Sequence, residues 1–268
     1  MHWMIRGLAV ILLASTPVSR AATKLLVTVI ERRSGAPVKD LKTEDFTAMD
    51  DRTPRRVEAA AYAGGAVDVM LLLDTSLVGH LVQPIAADLI ARLQPNEQMA
   101  IVAYHSSADL IQDFTSSKEH LLRAVGRVKY GNTPYLLDAL FAAADGGFEN
   151  ATLRRVILLL TAGVEGYSRV GERDVIRLAR KNGISIYPVY MMGHERSMFE
   201  SLARQTGGAL FSLRDLGRHG AGAPPDRIFD VLRGSYTVTL GGNLAPTDKL
   251  RIQVNRQQKM FVSALVLD

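Results

Sequence analysis

At 268 residues, the chain is long enough for one α/β domain and a smaller appendage, and its ordinary composition excludes disordered and fibrous classes. The net charge is +5, but no basic stretch interleaved with aromatics accompanies it, so nucleic-acid binding has no support. Cysteine is absent, which excludes a disulfide framework and any thiolate metal site.

In chain order, residues 1–21 read as a secretory signal peptide. Arg6 supplies the positive start, residues 7–14 the apolar middle, and Ser19-Arg20-Ala21 a small-x-small exit, with cleavage expected after Ala21. The apolar run is too short to span a bilayer comfortably and no later segment is long enough, so the mature chain is expected to be secreted or periplasmic, with no transmembrane span. Residues 22–63 form an N-terminal β segment. A strand is predicted over residues 25–30, then a turn at Ser34-Gly35-Ala36-Pro37 and a helical turn at Thr43-Glu44-Asp45. An extended piece at Phe46, a turn at Asp50-Asp51-Arg52 and a strand around Val57 complete it. So small a β unit needs a partner sheet. Ala63-Gly64-Gly65-Ala66 is the expected hinge into the main domain.

Residues 64–216 alternate strand and helix patterns. The apolar runs at residues 67–73, 99–104 and 156–160 have no in/out alternation, as expected of strands covered on both faces, and residues 184–190 read as a further strand. Leu110-Ile111 is read as an edge strand and residues 210–213 as a last strand. Helices are predicted over residues 81–93, after a Ser117 cap, from Pro134 in a first turn, over 172–181 with an Asn182-Gly183 stop, and over 197–205. This alternation predicts an α/β fold with a doubly wound, mostly parallel sheet. Residues 217–268 begin as a Gly/Pro-rich linker over 217–225 and a short helix at 227–232. Three strands, at 236–240, 250–254 and 261–267, are then expected to pair antiparallel with the N-terminal segment as a small flanking β domain.

The run at residues 67–73 ends in Asp74-Thr75-Ser76. Ligands of parallel sheets bind outside the carboxyl ends of the strands, which is where Asp74 stands. Two readings are open for it: a carboxylate and a hydroxyl offered to one hard cation, or caps of the following helix.

Asp74-Thr75-Ser76 after a buried strand, Gly131-Asn132-Thr133-Pro134 before a helix, and Leu160-Thr161-Ala162-Gly163 after another strand occur in an order that resembles a von Willebrand factor A-type domain. The resemblance covers residues 67–213. Ser34-Gly35-Ala36-Pro37-Val38, Leu41, Asp45-Phe46 and Asp50-Asp51 look like the lead-in of bacterial exported proteins with a VWFA-related domain. The resemblance implies a metal-ion-dependent adhesion site, in which Asp74, Ser76 and Thr133 match the magnesium ligands and an acidic side chain of a protein partner completes the sphere. Thr75, Asn132, Thr161, Ala162 and Glu165 lie on the loops that would face that ligand. Val78 and Ala162 depart from the pattern, where it has a second Ser and an Asp. One carboxylate and two hydroxyls hold a strongly hydrated dication weakly. Glu165 or Asp138 is the available replacement.

The expected function is therefore an exported protein–protein interaction or adhesion module with a degenerate metal site. It is not expected to be an enzyme; no cofactor is required, and magnesium binding is weak at most. The alternatives are a working magnesium-dependent adhesion domain and a phosphatase of the haloacid-dehalogenase-like type. Against the latter, Ser76 stands where a second Asp should act as general acid. His194-Glu195 lacks the second His of a zincin helix, since Met198 occupies that place. Tyr187, Tyr190, Met191 and Met192 read as strand-end packing.

Overall fold

In the computed structural model, residues 22–242 and 249–267 are described, so the expected signal segment 1–21 lies outside the described residues. Four strands open the chain: β1 (Thr23–Glu31), β2 (Phe46–Asp50), β3 (Thr53–Arg55) and β4 (Val57–Gly64). Gly35, at φ 66°, makes the turn after β1, a conformation open to a residue without a Cβ. The helical turn is a 3-10 turn at Thr43–Asp45, closed where the Asp45 carboxylate accepts from the Lys42 N–H at 2.8 Å.

Strands and helices then alternate: β5 (Val67–Asp74), α1 (Gln83–Ala91), β6 (Gln98–Tyr104), β7 (Ala108–Thr115), α2 (Lys118–Val125), α3 (Leu136–Gly146), β8 (Arg154–Thr161), α4 (Glu172–Lys181), β9 (Ser185–Tyr190), α5 (Arg196–Gln205) and the two-residue β10 (Phe211–Ser212). They build a six-stranded sheet in the order β10-β9-β8-β5-β6-β7, parallel except at β7. Every residue of β5 is buried, because both faces are covered. Leu71 and Leu73 pack with Leu89 of α1 on one side, while Met70 and Leu72 pack with Leu140 of α3 on the other. Burial of each such leucine contributes roughly 1.5–3 kcal/mol.

The tail corrects part of the sequence reading. Leu213, expected to end a strand, instead opens α6 (Leu213–Arg218), and Gly217 lies inside that helix. Pro224 and Pro225 fill the first turn of α7 (Pro224–Arg233), where the missing N–H groups cost nothing. The stretch 217–225 is therefore tied down, not an open linker. Buried Arg227 fastens it by donating to the carbonyls of Ser34, at 2.7 Å, and of Leu216 and His219. The remaining strands are β11 (Gly234–Leu240), β12 (Leu250–Val254) and β13 (Met260–Leu267).

Strands from both ends of the chain interleave in two antiparallel sheets, ordered β13-β1-β11-β4 and β12-β2-β3. The two share a core that includes Leu25, Phe46, Tyr236 and Ile252. Buried Tyr236 satisfies its hydroxyl by donating to the Val38 carbonyl and accepting from the Leu41 N–H, both at 2.9 Å.

Only Gly65 and Ala66 separate β4 from β5, and the Gly65 N–H donates to the Arg233 carbonyl at 3.0 Å. The expected hinge is thus a pinned crossover. The same Arg233 grips Glu97, with Nε on Oε1 at 2.8 Å and Nη2 on Oε2 at 2.7 Å. Burial opposes ionisation of Glu97, but the Arg233 bonds and backbone donors outweigh it and hold its pKa below the ordinary value. None of the described helices is long and apolar enough to cross a membrane.

Candidate functional site at the carboxyl ends of the parallel strands

Asp74 ends β5 with no exposed surface, and its carboxylate is used to join loops. Oδ1 accepts the Ser76 N–H at 2.9 Å, while Oδ2 accepts the Thr161 hydroxyl at 3.2 Å and the Ala162 N–H at 3.0 Å. The turn beneath it requires Gly79, since a Cβ there would collide with the Asp74 carbonyl. Gly163, at φ 101°, allows the β8 loop to press against the Met192 carbonyl in the same way. Thr75 is turned inward, its N–H and hydroxyl both donating to the Tyr104 carbonyl at 2.8 and 2.9 Å. Tyr104 is itself wholly buried. Desolvation and the nearby Asp74 charge push its phenol pKa well up, so it stays neutral.

The neighbouring loops are tied in by backbone bonds. The Gly131 N–H donates to the Thr75 carbonyl at 2.8 Å, that of Tyr135 to His105 at 2.8 Å, and that of Gly166 to Pro134 at 2.7 Å. Pro134, expected in the first turn of α3, lies ahead of it: the helix starts at Leu136 after Tyr135. The cap comes from a different loop. Glu165 Oε2 accepts the N–H groups of Leu136 and Leu137 at 2.9 and 3.3 Å, and Oε1 that of Ser168 at 3.1 Å. Burial raises the Glu165 pKa despite these donors. Asp138 Oδ1 accepts from Arg169 and Val170, both at 2.9 Å. Both side chains considered as replacement ligands are therefore engaged in holding the α3 and β8 loops.

The structure thus brings Asp74, Ser76, Thr161 and Ala162 together. Thr133 and Asn132 sit on the adjacent loop, Thr133 half-buried and Asn132 exposed. Thr75, Thr161 and Ala162 were expected on ligand-facing loops, yet none has exposed surface, because their polar groups are spent on holding the strands' ends together. Three residues that sequence reasoning missed do face outward. Leu77 is 67% exposed, Tyr130 42% and Tyr167 95%, one on each loop. Tyr130 reaches the Gln83 side chain through its hydroxyl, and burial together with the Asp74 charge raises its pKa. The available signal was position, since each is adjacent to a residue fixed in the site: Ser76, Gly131 and Gly166.

A magnesium ion fits this donor set poorly. It demands near-octahedral oxygen geometry, whereas the single carboxylate already accepts three bonds from the protein. Val78 offers no ligand atom, and Ala162 contributes only an N–H, aimed at Asp74. Among the described residues, no group of three or more His, Cys, Asp or Glu side chains is placed to hold a metal. Ser76 Oγ is buried without a hydrogen-bond partner among the described residues, as is the Tyr104 hydroxyl.

A doubly wound sheet whose carboxyl-end loops converge on a buried Asp-x-Ser defines the class. The von Willebrand factor type A domain matches residues 68–219, more than half of the chain, and the protein belongs to that family. It is similar in fold to proximal thread matrix protein 1 from the mussel byssus, with a TM-score of 0.54 and 17% identity over 72% of this chain and 50% of that one. The chain thus spans about half the length of that protein, which also has a structure with a zinc-occupied metal-ion-dependent adhesion motif. It is similar as well to the conserved hypothetical protein BatB from Bacteroides thetaiotaomicron, with a TM-score of 0.50 and 12% identity over 63% of this chain and 97% of that one. At these identities the likeness is one of fold. No curated protein matches the chain.

Proposed function

We infer that the protein is an exported interaction module that binds a protein partner through the loops around Asp74, without needing a metal ion. The observation that carries this reading is the division of labour in those loops. Most of their buried polar groups are consumed internally, with Asp74 accepting three bonds, while Leu77, Tyr130 and Tyr167 stand outward. Apolar and aromatic side chains on a framed surface are the usual currency of protein recognition. The adhesion site is degenerate on this view, Asp74, Ser76 and Thr133 being its remnant. Export rests on the signal-like residues 1–21, and residues 22–63, 64–216 and 217–268 are the units of the mature chain.

The test is retention of exported proteins by the immobilised chain in EDTA. Retention lost in the double variant Leu77→Ser, Tyr167→Ser, at unchanged melting temperature, supports the proposal; undiminished retention by that variant contradicts it. The second reading, a working dication site, is favoured by the unpartnered Ser76 Oγ alone. It requires retention to vanish in EDTA and return with magnesium. The phosphatase reading gains nothing from the geometry, because Ser76 is enclosed and Asp74 is already bonded on both oxygens.

A further inference from the structure

We propose that the free edge of β13 accepts an extended, acid-bearing peptide strand from a partner, making it the fifth strand of its sheet. This surface is separate from the loops around Asp74, and the proposal goes beyond the function inferred for them.

Among the described residues, β13 is an edge strand, paired with β1 alone. The Arg32 N–H donates to the Lys259 carbonyl at 3.1 Å, which fixes the alternation of the antiparallel ladder. Met260, Val262, Ala264 and Val266 therefore turn their backbone groups away from β1. Two of those carbonyls are occupied: Met260 accepts from Arg32 Nε at 3.1 Å, and Val262 from Arg204 Nη1 at 2.9 Å. Beyond them, the outward groups of Ala264 and Val266 bond to nothing among the described residues.

Proteins ordinarily defend such edges with charge, proline, bulges or brevity. The other edges here follow that rule. β7 has two register irregularities and carries Asp109 and Asp113. β3 is three residues long with Pro54 at its centre, and β10 has only two residues. β4 has its Ala60 N–H occupied by the Thr43 hydroxyl at 3.1 Å, and β12 carries Arg251. β13 is eight residues long, with neither charge nor proline.

The edge also opens into space that fits a strand. Val262, Ala264 and Val266 line a cleft of about 730 Å³, walled by α5 and β12. Among the described residues, Arg204 and Arg251 of its lining stand against one acid, Glu200. Glu200 is already held by Arg32 at 3.0 Å and Arg204 at 2.6 Å, so the cleft is electropositive. Strand addition draws affinity from main-chain bonds and specificity from alternate side chains. A second copy of β13 would bring its own Arg204 and Arg251 into the same space. A strand bearing glutamate or aspartate complements the cleft instead.

The test is a fluorescence-anisotropy titration of the full chain with a labelled eight-residue peptide alternating valine and glutamate. The proposal expects saturable binding, about tenfold weaker when lysine replaces glutamate, and lost when alternate peptide amides are N-methylated. Amide exchange at Ala264 and Val266 should slow on binding. Arg251→Glu, on an exposed side chain, should shift preference toward the lysine peptide without changing the melting temperature. Absence of binding at about millimolar peptide overturns the proposal. Equal binding of the lysine or N-methylated peptide does so too, as does binding that leaves Ala264 and Val266 unprotected. A dimer in sedimentation with these amides protected in the absence of peptide would assign the edge to a second copy and overturn the proposal likewise.

Discussion

The two ends of the six-stranded sheet use buried carboxylates in similar ways but differ in what they leave outside. At the amino end, Asp68 Oδ2 accepts the N–H groups of Thr152 and Leu153 at 2.7 and 2.8 Å, and Glu97 is clamped by Arg233. At the carboxyl end, Asp74 joins the β5 and β8 loops, and Glu165 caps α3. Asp68 and Asp74 lie on one strand, six positions apart, and both are enclosed. The carboxyl end has large exposed side chains on three loops around its acid, whereas the amino end has Leu153, 36% exposed, beside Asp68. A buried acid at a strand's end is thus not in itself a ligand site. The outward surface around it distinguishes a structural fastening from a recognition face.

The largest effect expected at the amino end is from Glu97→Ala, which strands a mostly buried Arg233 guanidinium. Its cost should be about 3–5 kcal/mol, read from urea unfolding. A loss below about 1 kcal/mol would mean that the clamp is ornamental. The two ends also make opposite predictions for pH. Glu97 has a folded pKa below its ordinary 4.5, so its contribution is present above pH 4.5 and is lost as pH falls through the lower folded value. Glu165 has a folded pKa raised above 4.5, so its contribution is complete below pH 4.5 and is lost as pH rises through the raised value. Stability against pH, measured for Glu97→Gln and Glu165→Gln beside the parent chain, should show difference curves of opposite slope. Slopes of the same sign would refute the assignment.

The two aspartates of β5 sharpen the comparison further. Asp74 accepts donors on both oxygens, so Asp74→Asn sets an NH₂ against an N–H or a hydroxyl and should cost about 1–3 kcal/mol. Asp68 Oδ1 has no partner, so Asp68→Asn can place its NH₂ there and should cost under about 1 kcal/mol. An inverted order in urea unfolding would break the account of both. Glu165→Ala removes the α3 cap and should cost about 1–2 kcal/mol, with faster exchange of the Leu136 and Leu137 amides. The smallest effect on stability belongs to the recognition face. Leu77→Ser and Tyr167→Ser should each change it by less than about 0.5 kcal/mol while reducing partner retention.

Much of the fold was legible because it is local. The unbroken apolar run of β5, the Ser117 cap whose hydroxyl accepts the His120 N–H at 3.3 Å, and the Asn182-Gly183 end of α4 are all written within a few residues. The pairing of the first and last strands followed from two β segments too small to stand alone. Other features rest on partners that no periodicity links. Glu165 caps a helix 29 residues upstream, Ala162 meets Asp74 across 88 residues, and Arg233 meets Glu97 across 136. Bonds of this kind, to Tyr104, Asp74 and Leu136, turn Thr75, Thr161 and Glu165 inward. The sequence showed which loops converge but not which side chains would be left facing out.

The central claim, that the carboxyl-end loops need no metal, is tested most directly by the melting temperature of the chain in magnesium, in manganese and in EDTA, with Asp74→Asn in parallel. A ligand that binds the native state raises stability by mass action. The account predicts coincident curves for each protein across the three conditions, with Asp74→Asn lower by the same amount in all of them. A saturable rise with either metal that disappears in Asp74→Asn would contradict it and restore a working adhesion site.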